Sequence, residues 1–152
     1  MPLRIPRPAD LATLVGTELS PSDEFALNQA DVDRFVEISG DRQWIHSDTE
    51  RARAELPEGR TIVPGNLLLA QIPRLLQQVY VVERFAKCLV AGYSQVRFRQ
   101  IVGTGTPLAL RVKLVSVTPT RSFVRVETEC TIMIADDRKP ALTVQVTDLY
   151  YE

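Results

Sequence analysis

This chain has one histidine, one tryptophan and two cysteines among its 152 residues, and each scarcity removes a class of function. Cys88 and Cys130 stand alone, without CxxC spacing, and a single imidazole cannot complete the ligand set of a cysteine–histidine zinc site. No metal is expected. An excess of charge of one sign is also missing, since 18 Lys and Arg face 19 Asp and Glu for a net charge of −1. Without a basic field the chain lacks the electrostatic footprint of a nucleic-acid binder. No apolar run approaches the roughly 20 residues that span a bilayer. The opening Met-Pro-Leu-Arg-Ile-Pro-Arg-Pro has no apolar core of the kind a signal peptide needs. A soluble cytoplasmic protein, with neither nucleic acid nor membrane as partner, is the expectation. Repeats, low-complexity tracts and linkers are absent too, so residues 1–152 are expected to form one domain.

What is present falls into three stretches. Residues 1–27 are punctuated by proline and are expected to wrap the domain edge. Helix signals follow. Asn28 and Asp31 have the spacing of an N-terminal cap, and Val32, Phe35, Val36 and Ile38 recur at helical intervals. Gly40 stands where a left-handed C-terminal cap is expected. Ser47-Asp-Thr-Glu50 reads as a capping box opening a second helix through Arg51 to Leu56. From Asn66 to Tyr80 the chain is apolar nearly all round at its start, the mark of a helix buried on most sides. Pro73 is expected to kink that helix or to start another.

From Leu89 onward the period becomes two. Strands are expected over Leu89–Phe98, Leu108–Val117, Phe123–Ile134 and Ala141–Tyr150. Leu108, Leu110, Val112 and Leu114 alternate with Ala109, Arg111 and Lys113; Leu142, Val144, Val146 and Asp148 share one face of the last strand. Such alternation belongs to an antiparallel sheet with one face buried. Helices before strands give an α+β class. The economical architecture is a curved antiparallel sheet wrapped around one central buried helix. A single layer leaves an edge uncovered, so at least a dimer is expected.

The candidate site is Asp41 with His46. His46 is the one side chain whose ordinary pKa lies near neutrality. It follows Asp41 by five positions, on a connection pinned by helix signals at both ends, so the carboxylate and imidazole can turn toward one place. On spacing alone, a cap and a solvated surface histidine fit as well.

Phe35-x-x-x-Ser39-Gly40-Asp41-x-x-x-Ile45-His46-x-Asp48 resembles the signature of the MaoC-like, (R)-specific enoyl-CoA hydratases. Thr61-Ile-Val-Pro-Gly65-Asn-Leu-Leu and Gly92-Tyr-Ser-Gln-Val-Arg-Phe98 extend the match in the family's order. The resemblance implies the hot-dog fold and the addition or removal of water across the 2,3-double bond of an enoyl thioester. It assigns Asp41 and His46 to share the reacting water. It assigns the backbone N–H of Gly65 to the oxyanion, and Ser39 and Gln43 to the support of the Asp41–His46 pair. Trp44, Leu67, Leu68 and Ile72 become candidates for the acyl pocket. Arg42, Arg60, Arg97 and Arg99 are candidates for the phosphates of coenzyme A. No resident cofactor is implied, since coenzyme A or an acyl carrier protein enters only as part of the substrate; a homodimer is favoured. Gln43-Trp44 stands where the family usually has Asn-Pro, and Pro64-Gly65 where it has His-Gly. Two other readings stay open. One is thioester hydrolysis, against which residues 65–80 hold no Asp or Glu. The other is a non-catalytic subunit or acyl binder.

Overall fold

The strand pattern and the apolar helix segment resolve into one packed unit. The computed structural model describes residues 1–152. A short strand β1 (Leu3–Ile5) and a 3₁₀ turn precede helices α1 (Gln29–Ser39), α2 (Trp44–Ser47), α3 (Thr49–Glu55), α4 (Gly65–Ala70) and α5 (Ile72–Val79). Strands β2 (Tyr80–Val82), β3 (Lys87–Phe98), β4 (Leu108–Pro119), β5 (Val124–Ile134) and β6 (Pro140–Tyr151) complete the chain. The long strands form one antiparallel sheet in the order β3-β6-β5-β4, and β1 pairs with β2 in parallel. The alternation is realised residue by residue. Leu108, Leu110, Val112 and Leu114 are buried, as are Val124, Val126, Thr128, Cys130 and Ile132 on the neighbouring strand. Leu68, Ile72, Leu75, Leu76 and Val79 of α4 and α5 join them in one core. This is the α+β hot-dog arrangement: a curved sheet closed over a central helical segment.

Of the two outcomes open at Pro73, the start of a second helix is the one realised: the helices meet at Gln71, and Pro73 sits in the first turn of α5, where a missing N–H costs little. One local reading is corrected, since the second cap is Asp48 rather than Ser47. Asp48 Oδ1 accepts from Arg51 N–H at 3.0 Å, while Ser47 closes the single turn of α2. The two edges of the sheet differ. On β4 the backbone of Gly16, Leu19, Ser22 and Phe25 donates to Leu114, Val112, Leu110 and Leu108. The outer edge of β3 has no such strap. Leu89, Val90, Tyr93 and Phe98 along it are all more than a third exposed. β3 also departs from regularity, with register shifts between Val90 and Gly92 and between Ser94 and Arg97.

Candidate active site

Asp41 and His46 meet because three local devices fold the chain back between them. The Asn28 side chain accepts from Asp31 N–H while the Asp31 carboxylate accepts from Asn28 N–H, fixing the start of α1. Gly40, at φ 75°, ends the helix in the left-handed conformation that favours glycine. Asp41 N–H then donates to Ser39 Oγ at 3.3 Å, and α2 carries His46 inward. His46 is 6% exposed. Its Nε2 lies 3.7 Å from Asp41 Oδ2, whose side chain stays 42% exposed.

The other imidazole nitrogen fixes the tautomer of the neutral ring. His46 Nδ1 sits 2.7 Å from the carbonyl oxygen of Ile62, an acceptor and nothing else, so the proton of the neutral ring resides on Nδ1. Nε2 is then a lone pair facing a carboxylate across a gap too long for a hydrogen bond. Two acceptors side by side suit one water that donates to both. The Ile62 carbonyl is itself held, because Ile62 N–H donates to Ile45 carbonyl oxygen at 2.8 Å and Val63 N–H to Val102 at 2.8 Å.

Sequence reasoning missed the support behind α2. Gln29 Nε2 donates to the His46 carbonyl oxygen at 2.8 Å and to Asp33 Oδ1 at 2.9 Å. Its Oε1 accepts from the hydroxyl of buried Thr61, which also meets Thr104 Oγ1 at 3.1 Å. The residue types carry no signal for this, since Gln29 looks like any polar first-turn residue. Gln29→Ala is expected to strip the His46 carbonyl of its side-chain donor and to leave the Thr61 hydroxyl with Thr104 alone. It should lower stability by about 1–3 kcal/mol, read by urea unfolding. As a positioning change it should lower kcat more than it alters KM.

Gly65 opens α4. Leu67 and Leu68 N–H groups donate to the Pro64 carbonyl, and the N–H of Gly65 precedes the first intrahelical bond. A Cβ here would lie 2.7 Å from Cε1 of Phe98, so the glycine lets the ring at the end of β3 close on the start of the helix. Gly65→Ala is expected to push the ring aside at about 1–3 kcal/mol of stability, with partial recovery in Gly65→Ala/Phe98→Leu, measured by thermal unfolding.

The remaining candidates are dispersed. Gln43 precedes α2 with no capping bond from its side chain; its carbonyl accepts from His46 N–H at 3.1 Å. Trp44 is covered by the Arg51 guanidinium, 4.0 Å from the ring centre. Leu67 and Leu68 are core, whereas Ile72 also lines a cavity between α5 and the sheet. Arg60 is tied to Glu58 and to the Thr104 carbonyl. Arg97 and Arg99 line a polar hollow on the outer face of the sheet, and Arg42 lines a separate shallow one beside Asp33 and Glu37. Within one chain the four arginines do not converge. No group of three or more His, Cys, Asp or Glu comes together that could hold a metal.

A hot-dog sheet over a helix, with an acid and an imidazole poised near the helix's start, defines a class of protein, and comparison names the family. Residues 10–133 match the MaoC like domain. A 3-hydroxyacyl-thioester dehydratase Z of Mycobacterium tuberculosis is 35% identical over 138 residues, covering 90% of this chain and 91% of the relative. A nodulation protein N of Rhizobium meliloti is 32% identical over 89% of this chain and 85% of its own length. Among solved structures, an unliganded (R)-hydratase from Pseudomonas aeruginosa superposes with TM-score 0.74 at 21% identity, over 91% of this chain and 82% of that one. The (R)-hydratase from A. caviae gives TM-score 0.71 at 22% identity, over 88% and 94%. The chain belongs to the MaoC-like dehydratase family.

Proposed function

We propose that this protein is an (R)-specific enoyl-thioester hydratase, or 3-hydroxyacyl-thioester dehydratase in the reverse direction, with Asp41 and His46 activating the water. The observation that carries this reading is the pair of facing acceptors, His46 Nε2 and Asp41 Oδ2, 3.7 Å apart with the imidazole proton committed to Ile62. In hydration the water oxygen bonds to the β-carbon and gives one proton to the pair, while the double bond's electrons shift toward the thioester oxygen. The pair then returns that proton to the α-carbon as those electrons come back to it. Charge growing on the thioester oxygen is met by the N–H of Gly65, and losing such a donor costs about 2.7–4 kcal/mol. The dehydratase name of the Mycobacterium tuberculosis relative supports the same reaction.

The substrate is an acyl-CoA or an acyl-carrier-protein thioester, and the reaction needs no resident cofactor. Ile72 stands in the acyl wall, and the arginines bind phosphate on the assembled protein rather than on one chain. The unstrapped β3 edge, with its row of exposed apolar side chains, is the surface along which a homodimer pairs. No helix is long and apolar enough to cross a membrane. Both cysteines are free thiols, which suits a cytoplasmic protein.

The test follows the enoyl absorbance of crotonyl-CoA while free thiol is assayed in parallel. Loss of absorbance without thiol release is expected. Thiol release would replace the reading with thioester hydrolysis, and silence with crotonyl and longer enoyl thioesters would leave a non-catalytic subunit.

A further inference from the structure

Phe98 reaches Gly65 only because β3 breaks its own alternation. Ser94 stands opposite Gln145 of β6, and its hydroxyl donates to the Gln145 side chain on the outer face of the sheet. Arg97 stands opposite Thr143, so three steps along β3 match two along β6. In an unbroken strand Phe98, four residues after Ser94, would share the outer face with it. The extra residue reverses that parity. Phe98 is turned inward, opposite the fully buried Leu142. The bulge is held by Gln95 at φ 51°, a left-handed conformation that a residue other than glycine adopts at a cost.

The ring delivered by this bulge does not disappear into the core. Phe98 stays 52% exposed, although Cε1, Cδ1 and Cζ of its ring all lie within 3.0 Å of where a side chain at 65 would begin. In a helix the Cα–Cβ bond leans toward the N-terminus, the direction in which the free N–H groups of the first turn also point. A ring in the place of that missing Cβ therefore flanks the space in front of the Gly65 N–H. His46 is fastened to the carbonyl of Ile62, three residues earlier. The imidazole, the N–H and the ring are thus all set by the stretch 62–65.

We propose that Phe98 walls the reaction site beside the substrate's α-carbon, and that its ring excludes thioesters branched at that carbon. A carbonyl oxygen held by the Gly65 N–H brings the α-carbon, two bonds away, into the space that the ring borders. A hydrogen on that carbon fits there. A methyl must displace the ring, and retreat toward the helix is blocked by Gly65 itself. This inference rests on the enoyl-thioester reading of the site and deepens it to a substrate class, chains unbranched at the α-carbon. Phe98 becomes a specificity-determining residue of the reaction.

The experiment uses the full-length protein as wild type, Phe98→Leu and Phe98→Ala, with thermal unfolding to confirm that each is folded. Turnover is compared on crotonyl-CoA and 2-methylcrotonyl-CoA. Dissociation constants are compared on the unreactive saturated pair, butanoyl-CoA and 2-methylbutanoyl-CoA. Wild type is expected to favour the unbranched member of each pair about tenfold or more, the usual worth of a methyl in a tight site. Phe98→Ala should bring the binding preference to within about threefold, with Phe98→Leu between. The turnover preference should fall by a similar factor, which cancels the lower intrinsic reactivity of the branched enoyl group. Equal binding of both saturated thioesters by wild type, or the same preference in wild type and Phe98→Ala, overturns the proposal. An unchanged preference with a shift in size-exclusion volume also overturns it, assigning the ring to contact between copies. Turnover without branch discrimination in binding leaves the hydratase reading standing and removes this one. Branch-selective binding that relaxes in Phe98→Ala, with no turnover of any thioester, does the reverse.

Discussion

Asp41→Asn and His46→Gln are each expected to lower turnover of an enoyl thioester by about 10²–10⁴-fold, the usual contribution of one positioned proton-transfer group. In the proposed mechanism both groups act on one water, so the double variant should be little slower than the worse single one. The variants differ in their structural consequences. Asp41 is part-exposed and pairs with nothing but His46 across 3.7 Å, so an isosteric amide should leave the fold unchanged. His46 is buried and donates to Ile62, so Gln also leaves that carbonyl short of its donor, at about 1–3 kcal/mol of stability. Stopped-flow absorbance on folded samples, with urea unfolding as the control, separates the two effects. Either variant retaining more than about a tenth of wild-type turnover would remove the pair from the reaction.

Asp148→Val is expected to stabilise the protein at neutral pH by about 3 kcal/mol, an effect on the fold rather than on the reaction. Burial pushes the Asp148 carboxyl up to about 6, against about 3.9 for an aspartate in an unfolded chain. Between those values the folded protein holds a proton that the unfolded chain has released. Stability from this group therefore falls as pH rises from about 4 to about 6, and above that the whole penalty of a buried carboxylate remains. The other titratable groups around it, Tyr80, Cys88, Tyr93, Cys130 and Tyr150, are all pushed upward and stay protonated through this window. Urea unfolding of both proteins from pH 4 to 8 gives the test as a difference, in which the remaining carboxylates cancel. The gap between variant and wild type should widen by about 3 kcal/mol from pH 4 to pH 7. A constant gap across the range would mean that the carboxyl is solvated in the folded state.

Much of this molecule could be read without coordinates. Capping at Asn28 and Gly40 is a matter of a few adjacent residues, and so is the choice of Pro73 for a first helical turn. Strand alternation is equally local, which is why β4, β5 and β6 appear nearly at their expected bounds. The contest between Ser47 and Asp48 for the cap of α3 was not legible. Both are good caps, and the outcome turned on Asp48 N–H closing the α2 turn onto Trp44. β3 was legible as a strand but not in its surroundings, because alternation reports a buried face only where a layer covers it.

The sequence by itself determined the order of the main helices and the four long strands, the α+β class and the candidacy of Asp41 and His46, since short-range sterics, capping and hydrophobic period are written within a few residues of each position. Only the tertiary structure decided which imidazole nitrogen is free, what braces α2, and that Asp148 meets no partner. The Ile62 carbonyl is sixteen residues from His46 and Thr61 is thirty-two from Gln29, and such contacts depend on where the packed chain returns rather than on local pattern.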